Sequence, residues 1–278
     1  MNMIIDSIKR HILHIAHNST ANKKIDPEIH HFTAHRGLSG KYPENTVQAF
    51  KAASAEKFKA IETDIWEVPD FYDRGYDELG FVIMHNDDLS GMCGTKAKIP
   101  VRALSSAVIS DYLITKGEGN REDTDYTIPT LDDFLDIMNE NDKELVIELK
   151  DEDISSEGAM KLIRLLKDGG FAERTVLASF HKRTLLTLQS ITSADDGFRF
   201  QKFIGSRDRA RIDKEIAWAD YNDMDIVSIK DSLLTKKVFD RIKARGMSVE
   251  VWVVDDRYEA AEMIRRGVDR ITTNDILW

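Results

Sequence analysis

From about residue 30 onward, two hydrophobic periods alternate along the chain. Met160-Lys161-Leu162-Ile163-Arg164-Leu165-Leu166 has helical spacing and stops at Gly169-Gly170, and Arg174-Thr175-Val176-Leu177-Ala178-Ser179-Phe180 follows as a β-rich run. The same order of helix, glycine and strand recurs in Val238 to Ala244, Gly246 and Ser248 to Val254. It recurs again in Ala260 to Arg265, Gly267 and Asp269 to Thr273. Glycine just past a helix tolerates the left-handed cap that ends it. Such repetition predicts βα units around a parallel sheet. Candidate strands lie near residues 31–35, 60–66, 144–150, 174–180, 199–204, 225–229, 248–254 and 269–273. Eight of them, with helices between, describe an α/β protein of the (β/α)8 TIM-barrel class.

Two stretches fall outside this rhythm. Ile4, Ile5, Ile8, Ile12 and Ile15 have helical spacing and predict an amphipathic helix over residues 3–16 within an N-terminal helical extension, 1–29. That helix could cap the barrel bottom or mediate a homo-oligomer; contact with a membrane surface is the weaker option, because its polar face has too few Lys and Arg residues. The barrel itself is assigned to 30–278, with an insertion at about 67–129. The link from Trp66 to Phe81 is too short for a crossover helix. Residues 81–85 are therefore expected to return as a hairpin arm on the top face and bring His85 toward the second strand. The segment 90–128 then reads as a loop or small subdomain over the site.

Composition narrows the function. The chain has 278 residues and a net charge of −10, which argues against nucleic acid as main partner and against anionic membranes. Its one cysteine, Cys93, allows no internal disulfide and fits a reducing compartment. No window is long and apolar enough for an integral membrane segment. The N-terminal apolar residues are interrupted by Asp6, Lys9, Arg10, His11 and His14, unlike a secretory signal, so a cytoplasmic location is expected, or a secreted one if a signal has been removed.

Charge inside the strands points to chemistry. Glu62 and Asp64 sit two apart in Ala60-Ile61-Glu62-Thr63-Asp64-Ile65-Trp66, so both face the same way from an element that should be buried. Glu148 and Lys150 repeat the oddity in Glu144-Leu145-Val146-Ile147-Glu148-Leu149-Lys150. Buried charges are costly unless paired or bound to a metal. Neighbouring strands are about 4.8 Å apart, so the three carboxylates can converge on one cation, and an all-oxygen set suits Mg2+ or Ca2+. His35 and His85 flank them as a candidate acid/base pair. Each feature has a plainer reading: Glu148 and Lys150 as a cross-strand ion pair, a lone histidine as structural, Trp252 as core, and Asn45 as the N-cap of a helix over Val47 to Lys57.

Taken in order, the motifs outweigh those readings. Ala34-His35-Arg36-Gly37, Pro43-Glu44-Asn45-Thr46 with Ala49-Phe50, Glu62-Thr63-Asp64, Met84-His85, Glu148-Leu149-Lys150, Ser179-Phe180, Val251-Trp252 and Gly267-Val268-Asp269 cover residues 31–275. This ordered set resembles the glycerophosphodiester phosphodiesterase family, whose barrel is phospholipase-C-like. The resemblance implies a divalent metal on Glu62, Asp64 and Glu148, with His35 and His85 as acid and base. It also implies phosphoryl binding by Arg36 and Lys150, a polar site role for Glu44 that could reach the glycerol group, and Trp252 in the pocket wall. The reaction it implies is hydrolysis of a small-molecule glycerophosphodiester to glycerol 3-phosphate and an alcohol. Two alternatives stay open: a lyase-like enzyme giving a cyclic phosphate from a lysophospholipid, and a silent barrel that binds glycerophosphoryl groups. The chain departs from the family pattern at His85-Asn86, in Ser90-Gly91-Met92-Cys93-Gly94-Thr95, at Thr273-Asn274-Asp275 and in the segment Glu67 to Gly80.

Overall fold

The computed structural model describes residues 25–26, 31–71, 77–116 and 126–277; the helix expected over 3–16 lies outside them. The strands are β1 (His31–Ala34), β2 (Ala60–Phe71), β3 (Asp77–Ile83), β4 (Glu144–Leu149), β5 (Thr175–Ser179), β6 (Arg199–Ile204), β7 (Ile226–Lys230), β8 (Ser248–Trp252) and β9 (Arg270–Thr273). The helices are α1 (Val47–Ser54), α2 (Ser106–Ile109), α3 (Leu131–Asn139), α4 (Ser156–Asp168), α5 (Lys182–Ser190), α6 (Arg209–Tyr221), α7 (Lys236–Lys243) and α8 (Arg257–Arg265). The sheet runs β1-β9-β8-β7-β6-β5-β4-β2, and β1 pairs with β2 to close it. Eight parallel strands with helices between them make the TIM barrel expected from the sequence. At the exit of α7, Gly246 has φ +79°, the left-handed geometry that the alternation of helix and strand required.

β3 stands outside the barrel. It pairs antiparallel with β2 from Ile65↔Ile83 out to Phe71↔Asp77. The second strand is therefore longer than the 60–66 read from the sequence, because β3 supplies partners for the backbone groups beyond Trp66. Beyond the hairpin, Val68, Val82, Met84, Leu89, Met92, Val101, Ile109, Ile114, Tyr126 and Ile128 form a second buried cluster, separate from the main core. The main core lies between the barrel and its helices, and its largest fully buried side chains include Phe32, Phe50 and Phe134.

The barrel interior is polar toward its lower half. Glu250 is 1% exposed and accepts hydrogen bonds from Gln201 Nε2 (3.0 Å) and Ser228 Oγ (2.9 Å). Arg270, 4% exposed, bridges Glu250 (3.3 Å) and Glu144 (2.8 Å), and Arg199 adds a second cation to Glu144 (3.1 Å). A buried ion pair adds little net stability over apolar packing, but removing one partner leaves the other charge stranded. Arg270→Met should therefore destabilise the fold by about 3–5 kcal/mol in denaturant unfolding. The double variant Arg270→Met/Glu250→Gln should recover part of that loss, and no recovery would show that the two charges do not compensate each other.

Candidate active site

β1 ends at Ala34, and the chain then turns across the top of the barrel. His35 N donates to Thr273 O at 2.9 Å, continuing the closure between β1 and β9. Arg36 and Gly37 both take left-handed backbone conformations, φ +56° and +77°. A Cβ on Gly37 would lie 2.6 Å from the Ala49 backbone, so only glycine fits where this loop crosses α1. The twist at Arg36 aims its amide at Glu62, with N to Oε2 at 2.8 Å.

Glu62 and Asp64 on β2 and Glu148 on β4 point into the barrel mouth. Asp64 stands in register with Glu148, and each of the three carboxylates offers an oxygen within 4.8 Å of the others. All three residues are buried. Arg36 Nε lies 3.1 Å from Asp64, and its Nη1 is 2.8 Å from Glu44. Lys150 Nζ reaches Glu148 at 2.8 Å and Asp64 at 3.2 Å. Three carboxylates thus face two cations in a desolvated site. Burial would raise the Asp64 pKa, but Lys150 and Arg36 outweigh it and hold that carboxyl well below the usual range. Burial pushes Glu148 up to about 7, with Asp64 adding to the rise and Lys150 opposing it. Glu62 is raised well above the ordinary value by burial and by the charges of Asp64 and Glu148. Fully ionised, Glu62, Asp64 and Glu148 would carry more negative charge than Arg36, itself shared with Glu44, and Lys150 balance. Asp64 Oδ1 is buried without a well-directed hydrogen bond, although Lys150 Nζ is 3.2 Å away. An all-oxygen donor set with surplus negative charge and an unsatisfied oxygen suits a hard divalent cation.

Asn45 does not cap the helix as its place in the sequence suggested. Thr46, in extended geometry, is the N-cap and accepts from Ala49 N. Asn45 is left-handed (φ +58°) and turns inward, where Nδ2 donates to Asp64 Oδ2 at 2.8 Å. Its Oδ1 accepts from Thr63 Oγ1 at 3.2 Å and from Asp64 N at 3.4 Å. It therefore fixes the orientation of the central carboxylate. The helix itself stops at Ser54 rather than Lys57.

Each histidine is oriented by an amide. His35 Nδ1 lies 2.7 Å from Asn274 Oδ1, which also accepts from Ser39 Oγ (2.9 Å). Asn274 Nδ2 donates to Asp255 Oδ2 (2.9 Å), so its oxygen has to face the imidazole. His85 Nδ1 is 3.0 Å from Asn86 Oδ1. An amide oxygen only accepts, so in the His35–Asn274 contact, where the amide is anchored, the neutral ring carries its proton on Nδ1 and leaves Nε2 as a base; His85 Nδ1 faces Asn86 Oδ1 in the same way. Burial, reinforced by the Arg36 charge, lowers the His35 pKa to about 3. Burial also lowers that of His85, against the pull of Asp64. Asn86 and Asn274 stood out in the sequence only as departures from a pattern; nothing there showed that they face the two histidines.

His35, Arg36, Glu44, Glu62, Asp64, His85, Glu148 and Lys150 thus gather around β1, β2 and β4. Trp252 does not join them. It sits on β8 across the mouth, edge-on to Phe180 (5.7 Å) and Phe203 (6.2 Å), which stack on each other at 4.9 Å. Phe203 escaped the sequence reading, although its even spacing from Gln201 places it on the inward face of β6.

A family model described as the glycerophosphoryl diester phosphodiesterase family matches residues 35–277. The chain belongs to this family. Membership makes it a phosphoric diester hydrolase. It is 25% identical over 249 residues to the glycerophosphodiester phosphodiesterase of Caldanaerobacter subterraneus subsp. tengcongensis, covering 87% of this chain and 93% of that one. Its fold is similar to an Oleispira antarctica phosphodiesterase solved in complex with the product sn-glycerol-3-phosphate (TM-score 0.73, 22% identity, 89% of this chain and 94% of that one). It is also similar to a Thermotoga maritima glycerophosphodiester phosphodiesterase (TM-score 0.63, 20% identity, 89% and 96%). Among the described residues of this phosphodiesterase, no helix is long and apolar enough to cross a membrane.

The raised Glu148 pKa has a definite sign for stability. The folded chain holds a proton there up to about pH 7, whereas the unfolded carboxyl loses it near pH 4.3, so this group's contribution falls as pH rises between those values. A divalent cation held by this cluster would replace that proton. At pH 8, CaCl2 or MgCl2 at about a hundred times its dissociation constant should stabilise the fold by about 2.7 kcal/mol. The gain should shrink at pH 5 and vanish in Glu62→Gln. A melting temperature indifferent to both cations at pH 8 would contradict the assignment.

Proposed function

We propose that this phosphodiesterase hydrolyses glycerophosphodiesters to glycerol 3-phosphate and an alcohol, with His35 and His85 as the acid/base pair. The observation that carries this reading is the placement of two histidines, each with Nδ1 on an amide oxygen, beside one carboxylate cluster that also holds Arg36 and Lys150. Glu62, Asp64 and Glu148 would hold one divalent cation, Mg2+ or Ca2+. When bound, such a cation offsets negative charge on the phosphoryl oxygens as a Lewis acid.

The residues divide the remaining work. Arg36 is fixed through Nε and Nη1, and Lys150 through Nζ, so both cations are held in place before a phosphate arrives. Preorganised cations stabilise the charge that grows on a phosphoryl group without reorganising during reaction. Glu44 acts through Arg36 by holding its guanidinium. One histidine takes a proton on Nε2 from the attacking hydroxyl, whose oxygen bonds to phosphorus. As the bond from phosphorus to the alcohol oxygen breaks, the other histidine, entering the step with a proton on Nε2 as well as on Nδ1, gives the Nε2 proton to the departing oxygen. The attacking hydroxyl is that of water, or of the substrate's own glycerol, in which case water opens the cyclic phosphate afterwards. Trp252, Phe180 and Phe203 form the apolar wall opposite the charges.

31P NMR of the protein with glycerophosphocholine and glycerophosphoethanolamine, with Mg2+ or Ca2+ and then with EDTA, should show metal-dependent glycerol 3-phosphate. A cyclic phosphate that persists would move the assignment to a lyase-like reaction, and binding without turnover of either diester would favour the silent barrel. His35→Ala and His85→Ala should each lower kcat by about 10²–10⁴-fold. Asn274→Ala should lower kcat by about tenfold with KM little changed, since it removes the acceptor that fixes the His35 tautomer while sparing the phosphate contacts. A wild-type kcat in Asn274→Ala would show that His35 needs no such partner.

A further inference from the structure

The last paired position of β5 and β6 is Ser179↔Lys202. Phe180 and Phe203 stand one residue further on, each continuing the inward face of its strand. Their rings stack at 4.9 Å, the spacing of neighbouring strands. The stack therefore keeps its geometry only while the two strand ends stay at ladder spacing. Lys202 holds them there. Its side chain leaves β6 on the helix side, and Nζ turns to donate to Phe180 O at 2.9 Å and to Phe203 O at 2.7 Å. One ammonium thus clips together the two backbones that carry the rings, just past the end of the ladder. The residue is 3% exposed, and a buried cation is costly unless paired. The third partner is Glu215 of α6, with Oε2 at 3.4 Å, while Lys182 of α5 holds Glu215 Oε1 at 3.0 Å.

The rings belong to the same mouth as the carboxylates. Phe203 shares one apolar cluster with Ala60 and Val146, and Phe180 and Trp252 pack against it. Ala60 precedes Glu62 by two residues on β2, and Val146 precedes Glu148 by two on β4, so the rings rest on the layer directly beneath the carboxylates. Phe180 and Trp252 remain partly exposed. Glycerol's hydroxyls match the charged half of the mouth, which leaves the aromatic half to the alcohol.

We infer that Lys202 is a positioning residue for this reaction: by clipping the ends of β5 and β6 it holds Phe180 and Phe203 as one seat for the leaving alcohol, so that the protein selects diesters whose alcohol carries an apolar group. This rests on the hydrolase reading above. Lys202 touches no reacting atom and acts only through the two rings.

Two diesters of glycerol 3-phosphate test the inference, one with methanol and one with benzyl alcohol, because the bond cleaved is the same and the leaving alcohols are of similar acidity. The wild-type protein should favour the benzyl diester by about tenfold in kcat/KM, the order expected when a ring packs on an aromatic pair. In Lys202→Met that preference should fall to about twofold, the loss lying in KM for the benzyl diester rather than in kcat. Loss of folded protein lowers both rates alike, so the ratio reads the wall and not the stability. Turnover of both diesters by Lys202→Met with the wild-type ratio would overturn the inference and leave the hydrolase reading standing. So would a wild-type protein with no preference. The pH dependence of the ratio needs no variant. Burial lowers the Lys202 pKa to about 8, against the pull of Glu215, while Lys182 of α5 and Arg211 of α6 add to the fall. His181, which follows Phe180, is lowered by burial as well and stays neutral above about pH 7. Charge-assisted hydrogen bonds are about twice as strong as neutral ones, so the wild-type ratio should fall between about pH 7 and about pH 9.5, while the acid/base steps shared by both diesters cancel. A ratio flat over that range would overturn the clip. Calorimetry of both diesters with EDTA-treated protein separates the opposite case. Tighter binding of the benzyl diester to the wild type but not to Lys202→Met, with neither diester cleaved when metal is restored, would keep the wall and sink the hydrolase reading. Equal binding of the two diesters to the wild type would overturn the inference.

Discussion

The site depends on the burial of Glu62, Asp64 and Glu148 within 4.8 Å of one another. Like charges at this separation in a desolvated pocket repel strongly, and the fold tolerates them because Arg36 and Lys150 are held against Asp64 from both sides. The left-handed turn at Arg36, the inward turn of Asn45 and the pairing of Lys150 with Glu148 all serve that charge balance. Two cations against three carboxylates leave a surplus that a divalent ion would reverse. The same surplus keeps Glu62 and Glu148 ready to hold protons in its absence.

The barrel supplies the rigidity that such a balance needs. Its interior is itself ionic, with Glu250, Arg270 and Glu144 linked through the middle and lower layers. These buried charges are held by ion pairs rather than by a full set of directed hydrogen bonds, so losing any member strands the others at a cost in stability. Above that network the interior turns to carboxylates on one side and aromatic rings on the other. The mouth therefore offers a charged half for a phosphoryl group and an apolar half for what is attached to it.

Much of this was legible in the chain. The glycines after α4, α7 and α8 and the β-rich runs behind them marked three of the eight barrel strands and set the rhythm by which the others were found. The spacing of Glu62 with Asp64 and of Glu148 with Lys150 marked side chains that share one face of a strand. The hairpin was harder to read, because a strand that leaves the barrel keeps its period while changing its partner. β2 accordingly runs to Phe71, where the sequence suggested an end near Trp66. The plainer reading of Asn45 as a cap could not be separated from its motif role, because asparagine just before a helix fits a cap as readily as an inward hydrogen-bonding partner of Asp64. Only the positive φ, which sequence does not display, separates the two.

The sequence by itself determined the alternation of elements, the class of barrel and the identity of the charged side chains, because these follow from periods of two and 3.6 and from residue chemistry. Tertiary structure alone decided which groups meet across strands distant in the chain. Asn274 reaches His35 over 239 positions because closure of the barrel brings β9 beside β1. Phe203 joins Trp252 because two strands turn their inward faces to one mouth. Such contacts depend on register and closure, which no local pattern encodes.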